Sequence, residues 1–142
     1  MLSFTLNGSW KLYYHLEDGP MPRSPEELRA AAWPCVEARV PGNVELDLMR
    51  AGLEEDPFYD QNLYRYRKYE FCQWWFERTF QAPAAYEGKR CALVFEGLDT
   101  YAEVFVNGQK VGEADNMFIA HEFDVGAALN YGGENALHVR IQ

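Results

Sequence analysis

The stretch Gly97-Leu98-Asp99-Thr100-Tyr101-Ala102-Glu103-Val104-Phe105-Val106-Asn107-Gly108 decides the fold class. Ala102, Val104 and Val106 fall on one side of an extended chain, and Tyr101, Glu103 and Phe105 on the other. That period of two is what a strand in a sheet requires. Asn107 and Gly108 both tolerate positive φ, as a tight type I′ hairpin turn demands, and Gln109-Lys110-Val111 begins the return strand.

Working outward, His121-Glu122-Phe123-Asp124-Val125 reads as a short strand. Residues 136–141 read as a closing strand with Leu137, Val139 and Ile141 on one side. Upstream, 90–95 is a strand ended by Gly97. In 71–80, Trp74, Phe76 and Phe80 face one way and Trp75, Glu77 and Thr79 the other. A first strand, Trp10-Lys11-Leu12-Tyr13-Tyr14, follows a turn, and 17–23 with Gly19, Pro20 and Pro22 reads as a loop. Two short helices interrupt the pattern. Ser24 caps the first, Pro25 suits its opening turn and Glu27 completes a capping box, and the helix ends before Pro34. Glu37-Ala38-Arg39-Val40 is extended. Asn43 caps the second helix and Gly52 ends it. Residues 54–62 are turn-like around Asp56-Pro57.

Short strands at short spacing point to an all-β fold, an antiparallel β-sandwich or jelly roll with one or two short helices. A parallel sheet is disfavoured, because its crossovers need about a dozen residues, usually helical, and no such helix follows Gln81. The 142 residues suit a single domain, 1–142, and an aromatic share of 15% suits a β-rich core.

The net charge of −9 argues against nucleic acid and against an anionic membrane as partners, since both call for clustered Lys and Arg. A neutral or cationic ligand fits better. Cys35, Cys72 and Cys91 are odd in number and far apart, which makes a reducing setting the default. No basic leader or long apolar run opens the chain. A cytoplasmic location is the expectation, with a secreted or periplasmic one if a leader was removed.

The residues themselves show no catalytic pattern. Acid pairs such as Glu96 with Asp99 or Glu113 with Asp115 lie in turns and read as solvated. His15, His121 and His138 have no zinc-site spacing, and neither a G-x-S-x-G elbow nor a phosphate-binding Gly-rich loop is present. No cofactor or metal is expected.

A resemblance adds to this reading. Leu6-Asn7-Gly8-Ser9-Trp10, Val40-Pro41-Gly42-Asn43-Val44, Asp56-Pro57-Phe58-Tyr59 with Asn62, and Trp74-Trp75-Phe76-Glu77-Arg78-Thr79-Phe80 occur in that order. Then come the hairpin, Asp115-Asn116-Met117-Phe118 with Phe123-Asp124-Val125, and Asn135-Ala136-Leu137-His138-Val139-Arg140-Ile141. The series resembles the N-terminal sugar-binding domain of glycoside hydrolase family 2, the β-mannosidases in particular. The resemblance implies a galactose-binding-domain-like jelly roll. It also implies a non-catalytic first module that shapes the sugar pocket of a retaining exo-β-glycosidase. Immunoglobulin-like and TIM-barrel domains would follow in the same chain, and the barrel would supply both catalytic glutamates. The substrate class would be a β-linked glycoside or oligosaccharide, with β-galactosidase and β-glucuronidase as sister activities. The family's W-D-W-G-P segment, which the resemblance places downstream of these residues, is not among them; the expectation is that these residues by themselves lack the best sugar contacts and a final strand, leaving an edge that could pair with another copy. The alternative is a stand-alone, lectin-like carbohydrate-binding jelly roll.

Four residues are candidate ligand contacts: Asp115, Asn116, Asp56 and Asn62. For Asp115 and Asn116 the resemblance implies a sugar-facing loop, while the same residue types also make plain Asx turns. Asp56 and Asn62 flank Phe58 and Tyr59, in a loop that either faces the barrel or is anchored by its aromatics. Trp74 and Trp75 are expected in packing, at least one of them inward. Arg78 is expected to pair with an acid. Tyr64, Tyr66 and Tyr69, interleaved with Arg65, Arg67 and Lys68, are expected to form an amphipathic strand or loop covering the sandwich.

Overall fold

A computed structural model describes residues 1–16 and 19–142. Glu17 and Asp18, in the loop expected over 17–23, lie outside the described residues. The strands are β1 (Gly8–Tyr13), β2 (Cys35–Val40), β3 (Trp74–Gln81), β4 (Ala92–Phe95), β5 (Ala102–Val106), β6 (Gln109–Ala114), β7 (His121–Asp124) and β8 (Glu134–Ile141). The helices are α1 (Pro25–Ala31) and α2 (Val44–Arg50), with 3-10 helices at Asn62–Tyr69 and Ala84–Tyr86.

Six strands form one antiparallel sheet in the order β2-β1-β3-β8-β5-β6, and β4 pairs with β7 in a second. The expected antiparallel sandwich is what forms. Trp10, Leu12, Trp74, Val104, Val106, Leu137 and Val139 project from one face of the large sheet into the main core. Leu93, Phe95 and Phe123 of the small sheet pack against that core from across the gap. Phe123 lies directly over β6, where a Cβ built on Gly112 would stand 2.1 Å from its ring. Only glycine fits there.

The Asn107-Gly108 turn has φ of 51° and 80°, as the hairpin reading requires. The pairing of β5 with β6 shifts register after Val104. Both helix caps form: Ser24 Oγ accepts from Glu27 N–H, and Asn43 Oδ1 from Leu46 N–H. Glu27 also accepts from Arg23 N–H, and Gly52 ends α2 with φ of 73°.

One expectation is made specific and two change. The second face of the large sheet is also covered, because Trp75 and Phe105 pack under Leu28 of α1, with Tyr13 and Trp33 beside them. Trp74 and Trp75 are therefore both core residues, on opposite faces. Residues 62–69 form a 3-10 helix rather than a strand or loop, with Tyr66 and Tyr69 buried. Arg78 meets carbonyls instead of an acid: its Nη1 donates to Asn7 O and Ser9 O at the start of β1. Trp10 and Arg78 sit on the same side of their strands, so the guanidinium reaches the chain end that β1 has already placed.

Candidate functional site

The four candidate residues lie on two loops. In the first, Asp56 Oδ1 accepts from Phe58 N–H at 2.9 Å, an Asx turn, and Asn62 Nδ2 donates to Asp56 O at 3.1 Å. Pro57 is buried. Phe58 and Tyr59 at the loop tip are 80% and 73% exposed. An aromatic pair so exposed, beside amide and carboxylate groups, offers stacking surface and hydrogen-bonding partners at one place.

The base of this loop is held by the 3-10 helix. Tyr66 Oη donates to Glu55 O at 2.6 Å and Tyr69 Oη to Glu54 Oε1 at 2.7 Å. Lys68 ion-pairs with Glu54, and Arg65 with Glu55 at 3.2 Å. Burial pushes the Glu54 carboxyl up, but the hydrogen bonds from Lys68 and Tyr69 outweigh it and leave Glu54 below the usual carboxylate range. Burial, then the Glu54 carboxylate, pushes the Tyr69 phenol well up.

In the second loop, Asn116 Oδ1 accepts from Phe118 N–H at 2.9 Å. His121 Nε2 lies 2.7 Å from Asn116 O, so the ring donates there. The same ring stacks on Phe123, with planes 4° apart. Thr100 Oγ1 reaches Met117 Sδ at 3.7 Å, and Phe118 is 84% exposed. Asp115 lines an open cleft of about 460 Å³ together with Tyr101, Glu103, Glu113, Arg140 and Gln142. Within that cleft Glu103 pairs with Arg140 and Lys110, and Glu113 with Lys110 at 2.8 Å. These acids are neutralised by cations rather than set against each other as an acid and a nucleophile.

Asp56 is thus brought to Asn62, and Asp115 adjoins Asn116. Among the described residues no hydrogen bond or ion pair joins the two loops. No group of three His, Cys, Asp or Glu side chains among the described residues could hold a metal ion. Likewise, no helix there is long and apolar enough to cross a membrane. Sequence reasoning singled out neither Tyr66 nor His121 as holding these loops. The signal for Tyr66 was the aromatic and basic alternation over 64–69; His121 carried none.

Residues 21–142 match the family model described as glycosyl hydrolase 2 galactose-binding domain-like. The chain belongs to that family. This glycosyl hydrolase 2 domain is 40% identical over 108 residues to β-mannosidase B of Emericella nidulans, covering 76% of this chain and 13% of that protein. It is 31% identical over 141 residues to the β-mannosidase of Rattus norvegicus, covering 99% of this chain and 14% of that protein. Among solved structures, the β-D-mannosidase of Dictyoglomus thermophilum superposes with a TM-score of 0.77 at 38% identity, over 96% of this chain and 15% of the other. A β-D-glucuronidase of the same organism shares the fold, with a TM-score of 0.64 at 19% identity. The domain therefore spans about one seventh of the length of these β-mannosidases.

Proposed function

We propose that this galactose-binding-like domain is the non-catalytic wall of the sugar pocket in a longer exo-β-mannosidase. Residues 1–142 are taken as one domain. A downstream immunoglobulin-like domain and a TIM barrel carrying the catalytic glutamates would complete the enzyme, and a β-linked mannoside or oligosaccharide is its substrate. Asp56, Asn62, Asp115 and Asn116 face the sugar, and Phe58, Tyr59 and Phe118 close against it or against the barrel.

The observation that carries the reading is the pair of tip regions where nearly naked aromatics stand beside hydrogen-bonding side chains, on loops whose backbones are already tied. Exposed apolar surface of this kind marks a contact surface rather than free solvent. Mannoside is preferred over glucuronide because identity to the β-D-mannosidase is 38% against 19% for the β-D-glucuronidase. Three free thiols, with Cys72 and Cys91 buried, support a reducing, cytoplasmic setting.

The test uses the full-length enzyme and an aryl β-mannoside. Asp56→Ala and Asn116→Ala should each raise KM by about tenfold, the cost of a hydrogen bond to a sugar hydroxyl, with kcat falling less. Unchanged KM in both variants rejects the reading. The 142-residue chain alone should show no turnover.

A further inference from the structure

The tyrosine-rich 3-10 helix has no catalytic task in this reading, yet it makes four contacts with two consecutive residues. Arg65 and Tyr66 hold Glu55, and Lys68 and Tyr69 hold Glu54. The helix begins at Asn62, whose amide donates to Asp56 O. One short element thus carries one candidate sugar ligand and grips the chain immediately before the other.

We propose that the Asn62–Tyr69 helix is a clasp that sets the 54–62 loop before substrate arrives, with Tyr66 and Tyr69 as positioning residues for Asp56 and Asn62. The inference rests on the reading of this loop as substrate-facing. Tyr66 is the centre of the clasp. Its hydroxyl meets Glu55 O at 2.6 Å and lies 3.4 Å from Glu45 O, so α2 and the loop share one donor. At 6% exposure, water has little access to take over that bond. Without the hydroxyl, the Glu55 carbonyl loses its partner and the adjoining Asp56 loses a fixed position. A loop that must be ordered on binding charges that cost to affinity, whereas a loop ordered beforehand does not. The clasp is polar where it grips and aromatic where it packs, since the Tyr66 and Tyr69 rings enter the main core. This accounts for Arg65, Tyr66, Lys68 and Tyr69 within the alternation of ring and cation along 64–69.

The experiment measures KM, kcat and Tm of the full-length enzyme with an aryl β-mannoside. Tyr66→Phe removes one oxygen and keeps the ring. It should raise KM by about fivefold to tenfold, the size of one lost hydrogen bond, and leave kcat within about twofold. Tyr13→Phe is the control: Tyr13 Oη bonds Glu77 Oε1 on the opposite face of the sheet, at 3.5 Å. It should lower Tm without moving KM. If both variants move KM alike, the effect is general loosening and the clasp is overturned. If Asp56→Ala raises KM while Tyr66→Phe does not, the clasp fails and the substrate-facing loop stands. If Asp56→Ala leaves KM unchanged, both fail. Should Tyr66→Phe not fold, Tyr69→Phe is judged by the same outcomes.

Discussion

Asn107 Nδ2 stands 2.8 Å from Asn135 Oδ1, so the tip of the β5–β6 hairpin is bonded to the head of β8. Asn107 Nδ2 also donates to Ala128 O, and its Oδ1 accepts from Ala136 N–H. Asn135 uses every polar site: Oδ1 takes Asn130 N–H as well, and Nδ2 donates to Asn130 O and Gly133 O. Two motifs that look separate along the chain, Asn-Gly and the closing Asn-x-Leu-x-Val, meet in one network.

Asn135→Ala should therefore cost about 2–3 kcal/mol, because it removes a buried amide and leaves several part-buried polar partners without it at once. Asn107→Gly keeps the positive φ of the turn and loses only the side-chain bonds, so about 1–2 kcal/mol is expected. Urea denaturation of both variants measures the difference.

Gly112→Ala should destabilise the chain by about 1–3 kcal/mol through overpacking, because the methyl would meet the Phe123 ring. The double variant Gly112→Ala with Phe123→Ala should recover part of the Gly112→Ala penalty relative to Phe123→Ala alone. A thermal melting series of the four proteins reads that coupling.

Acid stability should depend on Glu77. Its carboxyl is held below its ordinary value of 4.5, first by the hydrogen bond from His138 and then, against the opposing effect of burial, by the His138 and Lys11 charges. A depressed folded-state pKa contributes stability that is complete above pH 4.5 and is lost as pH falls through the lower folded value. Glu77→Gln should flatten the acid limb of a stability profile below pH 4.5. An unchanged acid limb would refute the assignment.

Tyr13 should contribute a separable part of the alkaline limb. Burial, followed by Glu77, pushes its phenol up to about 12 from 10.0. A raised folded-state pKa gives stability present below pH 10 and lost as pH rises towards 12. Tyr13→Phe should remove that part of the loss, and ultraviolet titration should find one fewer late-ionising tyrosine, with Tyr69 still late.

Local rules made much of this fold legible. The Asn107-Gly108 turn, the Ser24 and Asn43 caps and the Gly52 stop each follow from a few neighbouring residues, and each forms. What escaped depends on partners distant in sequence. Alternation puts Trp75 and Phe105 on a definite side of their strands, but that Leu28 of α1 covers this side is decided by packing far along the chain. Arg78 was expected to find a carboxylate, yet β1 presents Asn7 O and Ser9 O first. The 64–69 alternation mimics a strand, but the segment winds as a 3-10 helix that turns Tyr66 and Tyr69 inward and leaves Tyr64 exposed. At the candidate site, the four polar residues were visible by type, whereas the tyrosines and the histidine that hold their loops were not. A hydrogen bond to a remote carbonyl leaves no mark on the spacing of the residues that make it.

β8 lies between β3 and β5, and among the described residues no other strand joins the two halves of the large sheet. On a ribosome, the strands of the large sheet that precede β8 form two detached ribbons, β2-β1-β3 and β5-β6, each with a naked flank. The eight residues of β8 act as the zip between them, so closure of the large sheet waits for β8 and leans on long-range contacts. Nascent chains stalled just short of that segment should be the ones that chaperones hold and proteases find.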